Sequence, residues 1–287
     1  MKKMNRRTFI GKATVGVGAT LALSQLPKQL LAQSSAAKIP IGFQTYPIRE
    51  TLAKDFGGTL KMMAAQGYKL VEMCYPKGYV TSGFGPLVDM KTSDLRKIIT
   101  DAGLTCPSCH FGFGQFKDEA IDESIEFSQQ LGIKHMICST FWLPKTATIS
   151  DYEVAADGLN KAAEKIKKAG MQTAFHNHSF EFVMLEGQLI YDALMNRFDP
   201  DLVKMQFQTE VINLGYKASD YFRKYPGRFI SAHLSDWTAD KKQMPIGKGI
   251  IDWKEFFAAA KTGGVQTFFV EMNPDKFQES IAYLAKL

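Results

Sequence analysis

Beyond residue 38 the chain alternates two kinds of segment: short apolar runs, and longer stretches in which apolar residues recur roughly every three to four positions. A short apolar run bounded by turn residues reads as a buried strand, and the longer period reads as an amphipathic helix. Gly67, Gly103, Gly132, Gly170 and Gly264 each close a helix-like stretch and stand just before a strand-like one, as in Gly170-Met171-Gln172-Thr173-Ala174-Phe175-His176. Glycine at that place supplies the left-handed residue that lets a chain turn back after a helix. Asp199-Pro200-Asp201 and Tyr225-Pro226-Gly227 punctuate the long interval before Gly264 in the same way. With an opening strand at 41–45, the pattern predicts eight strand–helix repeats, which in about 250 residues fit a single closed (β/α)8 barrel. An open doubly wound sheet is the weaker alternative, because no Gly-x-Gly-x-x-Gly follows the first strand.

In a barrel, alternate strand residues face the lumen, and those at the carboxyl ends face the functional rim. On that parity strand six turns Lys204, Gln206 and Gln208 inward, strand five ends on His176, strand seven on His233 and strand eight, over 268–271, on Glu271. Earlier strands add Glu72 and His110. Each polar strand end alone can be a capping group, but the convergence of these six marks the rim as a chemical site. Trp142, after strand four, stands where an aromatic covers the apolar face of a sugar, and Lys248 and Asp236 are further substrate-contact candidates. His178 is a candidate acid or base, with Glu181 nearby, and Glu210 is an alternative to Gln208 if strand six runs two residues further. Asp252 reads as a helix N-cap.

The formal charge of +6, from 35 Lys and Arg against 29 Asp and Glu, invites a nucleic-acid reading until its location is considered. Six of the basic residues, Lys2, Lys3, Arg6, Arg7, Lys12 and Lys28, fall in 1–37, which holds no acid, so the remainder carries 29 charges of each sign. A neutral body offers no counter-charge to a phosphate backbone. The basic start with Arg6-Arg7-Thr8-Phe9-Ile10, the apolar run from Ala13 to Leu23 and the small residues to Ala37 resemble a twin-arginine export signal. Residues 1–37 are therefore expected to be a leader, cut between Ala32 and Ala37, and 38–287 a periplasmic barrel with no membrane span, since the eleven-residue run is too short to cross about 30 Å of hydrocarbon. Cys74, Cys106, Cys109 and Cys138 read as buried thiols, Cys106 and Cys109 being expected on opposite strand faces.

Phe175-His176-Asn177-His178-Ser179-Phe180-Glu181-Phe182, His233-Leu234-Ser235-Asp236-Trp237, Ile246-Gly247-Lys248-Gly249-Ile250-Ile251-Asp252-Trp253 and Phe269-Val270-Glu271 together resemble the xylose isomerase-like TIM barrel superfamily, closest to its sugar phosphate isomerase/epimerase-type proteins. The resemblance implies a divalent metal held by Glu, Asp, His and Glu at the ends of strands five to eight. Those places fall on His176, Gln208, His233 and Glu271, so this chain departs from the pattern at two of the four. Nitrogen and oxygen donors of this kind suit Mn²⁺, Co²⁺ or Zn²⁺. The implied activity is metal-assisted isomerase, epimerase or lyase chemistry by enolisation of a non-phosphorylated sugar, with Glu271 as base and His178 assisting. Two other readings stand beside it: a degenerate sugar-binding barrel, and an endonuclease IV-like phosphodiesterase, whose additional Asp-x-His is here replaced by Lys241, Lys242 and Gln243. The partner expected is a small carbohydrate, with a homo-oligomer also open.

Overall fold

The repeat closes on itself. In the computed structural model, which describes residues 39–287, the strands Ile41–Gln44 (β1), Leu70–Cys74 (β2), Thr105–Phe111 (β3), His135–Cys138 (β4), Gln172–His176 (β5), Val203–Gln208 (β6), Phe229–Leu234 (β7) and Thr267–Val270 (β8) form one closed parallel barrel. The leader read from the sequence lies outside the described residues. Helices Arg49–Lys54 (α1) and Phe56–Gln66 (α2) follow β1. Thereafter one helix follows each strand: Thr92–Asp101 (α3), Ile121–Leu131 (α4), Ile149–Lys168 (α5), Ile190–Arg197 (α6), Ala218–Lys224 (α7), Trp253–Gly263 (α8) and Phe277–Leu284 (α9). None of them is long and apolar enough to cross a membrane.

Local chemistry sets the boundaries. The five punctuating glycines all adopt left-handed φ, between 79° and 117°. Thr148 and Asp151 cap the start of α5 reciprocally, and the Asp252 carboxylate accepts the Glu255 N–H at 3.0 Å at the start of α8, the capping role expected of it. Helices and barrel meet in a continuous core that includes Trp253, Phe207, Phe222 and Phe256.

Two register shifts alter the simple alternation. Between β2 and β3, Leu70 pairs with Thr105 but Glu72 with Ser108, so β3 carries an extra residue around Pro107. That reverses the parity, and Cys106 and Cys109 join the same helix-facing core instead of opposite faces; all four cysteines are free and buried. Between β6 and β7, Met205 pairs with Phe229 but Gln206 with Ser231. Ile230 consequently turns into the lumen with Ile137 and Ala174, forming a separate apolar plug below the polar layers.

Candidate active site

Above that plug lies a fully buried polar layer centred on Glu72. Its carboxylate accepts from Gln206 Nε2 at 2.8 Å, Gln44 Nε2 at 3.3 Å and the Ser108 hydroxyl, and it faces His233 Nε2 at 2.5 Å and His110 Nε2 at 3.2 Å. Burial works to raise the Glu72 pKa, but the two facing imidazoles carry it well below its ordinary value. Glu72, a candidate substrate contact by its place on β2, is thus engaged on both oxygens by neighbouring side chains. It stands two residues short of the strand end, beneath the rings it orients.

The next layer holds three imidazoles. His110 and His233 stack at 5.1 Å with an 8° interplanar angle, and His176 lies 4.5 Å from His233, ring centre to ring centre. One ring nitrogen from each of His110, His176 and His233 falls within 4.8 Å of the others. His110, expected to touch substrate, thus belongs to the imidazole cluster, and its Nε2 is 2.7 Å from Gln206 Oε1. Glu271 follows β8 directly, held in register by its own N–H to the Leu234 carbonyl at 3.0 Å. Its Oε2 receives Gln208 Nε2 at 2.6 Å and His233 Nδ1 at 2.8 Å, whereas Oε1 has no protein partner among the described residues. Burial opposes the charge on His233, but the Glu271 and Glu72 carboxylates on its two nitrogens raise its pKa to about 10.

His176, Asn177 and His178 share an unusual property. Each has a buried polar side-chain atom with no hydrogen-bond partner: Nδ1 of both histidines and Nδ2 of Asn177. Leaving such an atom unpaired costs about 1–3 kcal/mol, so these neighbouring atoms are open to a ligand or to water. Burial lowers the His178 pKa to about 4, which keeps the ring neutral. The ring stacks on Phe180 at 5.1 Å, and Trp142, 71% exposed, lies 6.1 Å from it. Trp142 adopts a φ of 51°, a left-handed backbone uncommon for a bulky residue.

Other expectations change. Asp236 is fully buried, and its oxygens accept from the N–H groups of Trp237, Gly247, Gly249 and Ile251 and from Trp253 Nε1, at 2.9 to 3.3 Å. With five donors already in place it clamps the loop after β7 and has no capacity for substrate. Lys248 pairs with Glu279 of α9 at 3.0 Å, both more than half exposed. β6 ends at Gln208, so Glu210 falls in the 3-10 turn Thr209–Leu214 and is not a further strand residue. The sequence pattern also passed over the chemistry of Glu181, a buried carboxyl that accepts the His178 N–H at 2.7 Å and the Thr140 hydroxyl at 3.3 Å, its pKa pushed by burial to about 8.

A profile of the xylose isomerase-like TIM barrel family matches residues 60–287. The chain belongs to that family. It is 27% identical over 190 residues to the inosose dehydratase of Geobacillus kaustophilus, a match covering 58% of this chain and about three-fifths (61%) of that enzyme. The solved sugar phosphate isomerase/epimerase of Parabacteroides distasonis superimposes with a TM-score of 0.75 at 23% identity, over 89% of this chain and 98% of that one. The IOLI protein with a bound zinc atom gives 0.65 at 14% identity, over 86% and 95%.

The donors on this rim fit the divalent ion that the family implies. His176 Nδ1 is buried and unpaired, two further imidazoles are within reach, and Glu271 adds an anionic oxygen beside His233. His233 also has the supporting contact common to metal-binding histidines, its second nitrogen directed at a carboxylate, Glu72. Ligation through Nδ1 requires that nitrogen to release its proton. The donor set differs from the expected one in detail, since His110 joins it and Gln208 turns its amide N–H₂ to Glu271.

Proposed function

We propose that this protein abstracts a proton from the carbon beside the carbonyl of a non-phosphorylated keto-sugar or keto-polyol, leading to elimination or one-sense isomerisation. The observation that carries the reading is the state of Glu271: Oε2 is fixed by His233 and Gln208, and Oε1 is free to take a proton. His176, His233 and their neighbours would hold a divalent ion, which when bound would supply Lewis-acid polarisation of the carbonyl. His178, neutral and adjacent, offers a hydrogen bond to a substrate hydroxyl, and the unpaired Asn177 Nδ2 offers another. Trp142 and Phe180 provide an apolar shelf for a sugar face.

One carboxylate suffices for elimination, because the proton that Glu271 takes from the carbon can be handed to the departing hydroxyl, which leaves as water, whereas epimerisation needs acid–base groups on both faces of the carbon. At the ligand position on strand five this chain has His176, buried and with its pKa well below the ordinary value through burial and the neighbouring His233, in place of a carboxylate. That substitution favours elimination, and the likeness to inosose dehydratase supports loss of water as its outcome.

The test is incubation of the metal-loaded protein with keto-sugars and keto-polyols in heavy water. Deuterium is expected at the carbon beside the carbonyl, and Glu271→Gln is expected to slow its entry by about 10² to 10⁴. Metal content measured in parallel separates a lost base from a lost ion. No exchange with any such compound while the metal is bound would replace this reading with that of a sugar-binding barrel.

A further inference from the structure

The opposite end of the barrel carries a second polar cavity. At the amino-terminal mouth, on the far side of the Ile137, Ala174 and Ile230 plug from the histidines, lies an open space of about 580 Å³. Its lining includes Lys134, Lys167, Lys204, His135, Gln172 and Gln266, and no Asp or Glu among the described residues. His135 and Gln172 are paired first residues of adjacent strands, two positions before Ile137 and Ala174, so their side chains belong to the lowest inward layer. Lys204 stands two positions before lumenal Gln206 on β6.

Solvated lysines at such a place commonly serve the carbonyls where helices end. Lys167 does reach the Asp201 carbonyl at 3.2 Å and Lys204 the Gly227 carbonyl at 3.1 Å. Each ammonium group has three N–H donors, so both keep donors for another acceptor, and Lys134 has no side-chain partner among the described residues. Carbonyl capping also leaves His135 unexplained. That side chain is 8% exposed, and its Nδ1 is buried without a hydrogen-bond partner. His135 forms part of the cavity wall, and a turn of its neutral ring would bring an N–H to an anion seated among the lysines.

We propose that the amino-terminal mouth of the barrel is an anion site, shaped for a phosphoryl group carried on a small organic molecule and separate from the histidine rim. Three cations around an opening with no counter-carboxylate favour a multiply charged oxyanion. The cavity exceeds the volume of phosphate alone, which leaves room for an attached organic group.

Calorimetric titration of the full chain at low ionic strength tests this, using inorganic phosphate, glucose 6-phosphate and glucose as probes. Glucose 6-phosphate is expected to bind with a dissociation constant at or below about 1 mM, and more weakly as salt is added. Lys204→Gln and the exposed Lys134→Gln should each weaken it about ten-fold, and His135→Asn should weaken it as well. Glu271→Gln, at the other end of the barrel, should leave it unchanged. Equal affinity for phosphate and glucose 6-phosphate would place the organic moiety outside the site and overturn that half of the proposal. Absence of saturable phosphoryl binding would overturn the whole, as would binding lost in the Glu271 variant but retained in Lys134→Gln. The Lys134 variant keeps the test decisive if changes at the buried positions disturb folding.

Discussion

Glu181 shows how a single buried carboxyl shapes both the rim and the stability of the protein. It is 1% exposed, and its hydrogen bonds from the His178 N–H and the Thr140 hydroxyl only partly offset the loss of water, leaving its pKa at about 8. A carboxyl whose folded pKa exceeds its unfolded value contributes stability that is fully present below about pH 4.5 and is lost as pH rises to about 8. At about 1.4 kcal/mol per unit, the loss is on the order of 5 kcal/mol. An amide keeps an acceptor for His178 and turns a donor toward Thr140. Glu181→Gln should therefore gain stability over the parent as pH rises, by about 2 kcal/mol or more between pH 5 and 8. Urea unfolding at the two pH values measures it, and parallel pH dependence in parent and variant would refute the assignment. Such a carboxyl beside His178 is the kind of perturbed group found at functional sites, and a cost of this size is consistent with the rim being tuned for something besides stability.

At the scale of elements, the loop after β7 is organised by one side chain. Asp236 gathers the N–H groups of Gly247, Gly249 and Ile251, and this close approach explains the glycine at 249. A β-carbon there would sit 2.1 Å from Asp236 Oδ1 and 2.5 Å from the Trp237 carbonyl. Gly249→Ala should thus cost about 2 kcal/mol or more, by breaking a buried charged hydrogen-bond group. Gly114, with nothing within 4 Å of its position, provides the control: Gly114→Ala should stay within about 0.5 kcal/mol. Urea midpoints decide the matter, and equal midpoints for the two variants would remove Asp236 from its role. The repeat and the strand ends were readable in the sequence because glycine punctuation and alternating polarity follow directly from helix and strand geometry. Depth was not: Glu72 shares a parity with the rim, yet it sits beneath it. The role of Asp236 was less legible for a related reason, since its partners are backbone N–H groups that no residue type announces. The bulges at Pro107 and Ile230 were hidden as well, because an extra residue changes pairing without changing composition, and the faces assigned to Cys106 and Cys109 changed with it.

For the whole molecule, charge distribution bears on where the protein works. The segment 1–37 holds six basic residues and no acid, while the rest of the chain has equal numbers of each sign. We propose that this basic, weakly apolar segment directs export of the electrically neutral body through the twin-arginine route. The reading makes Arg6 and Arg7 the determinants, through guanidinium groups whose planar donor geometry lysine does not reproduce. Replacing both with Lys keeps every charge and leaves residues 39–287 untouched. Export should nevertheless stop, with uncleaved protein collecting in the cytoplasm, measured by fractionation and by the mass of the chain. Continued processing of the double variant at the parental rate would show that the leader acts by charge alone, and the twin-arginine assignment would fail.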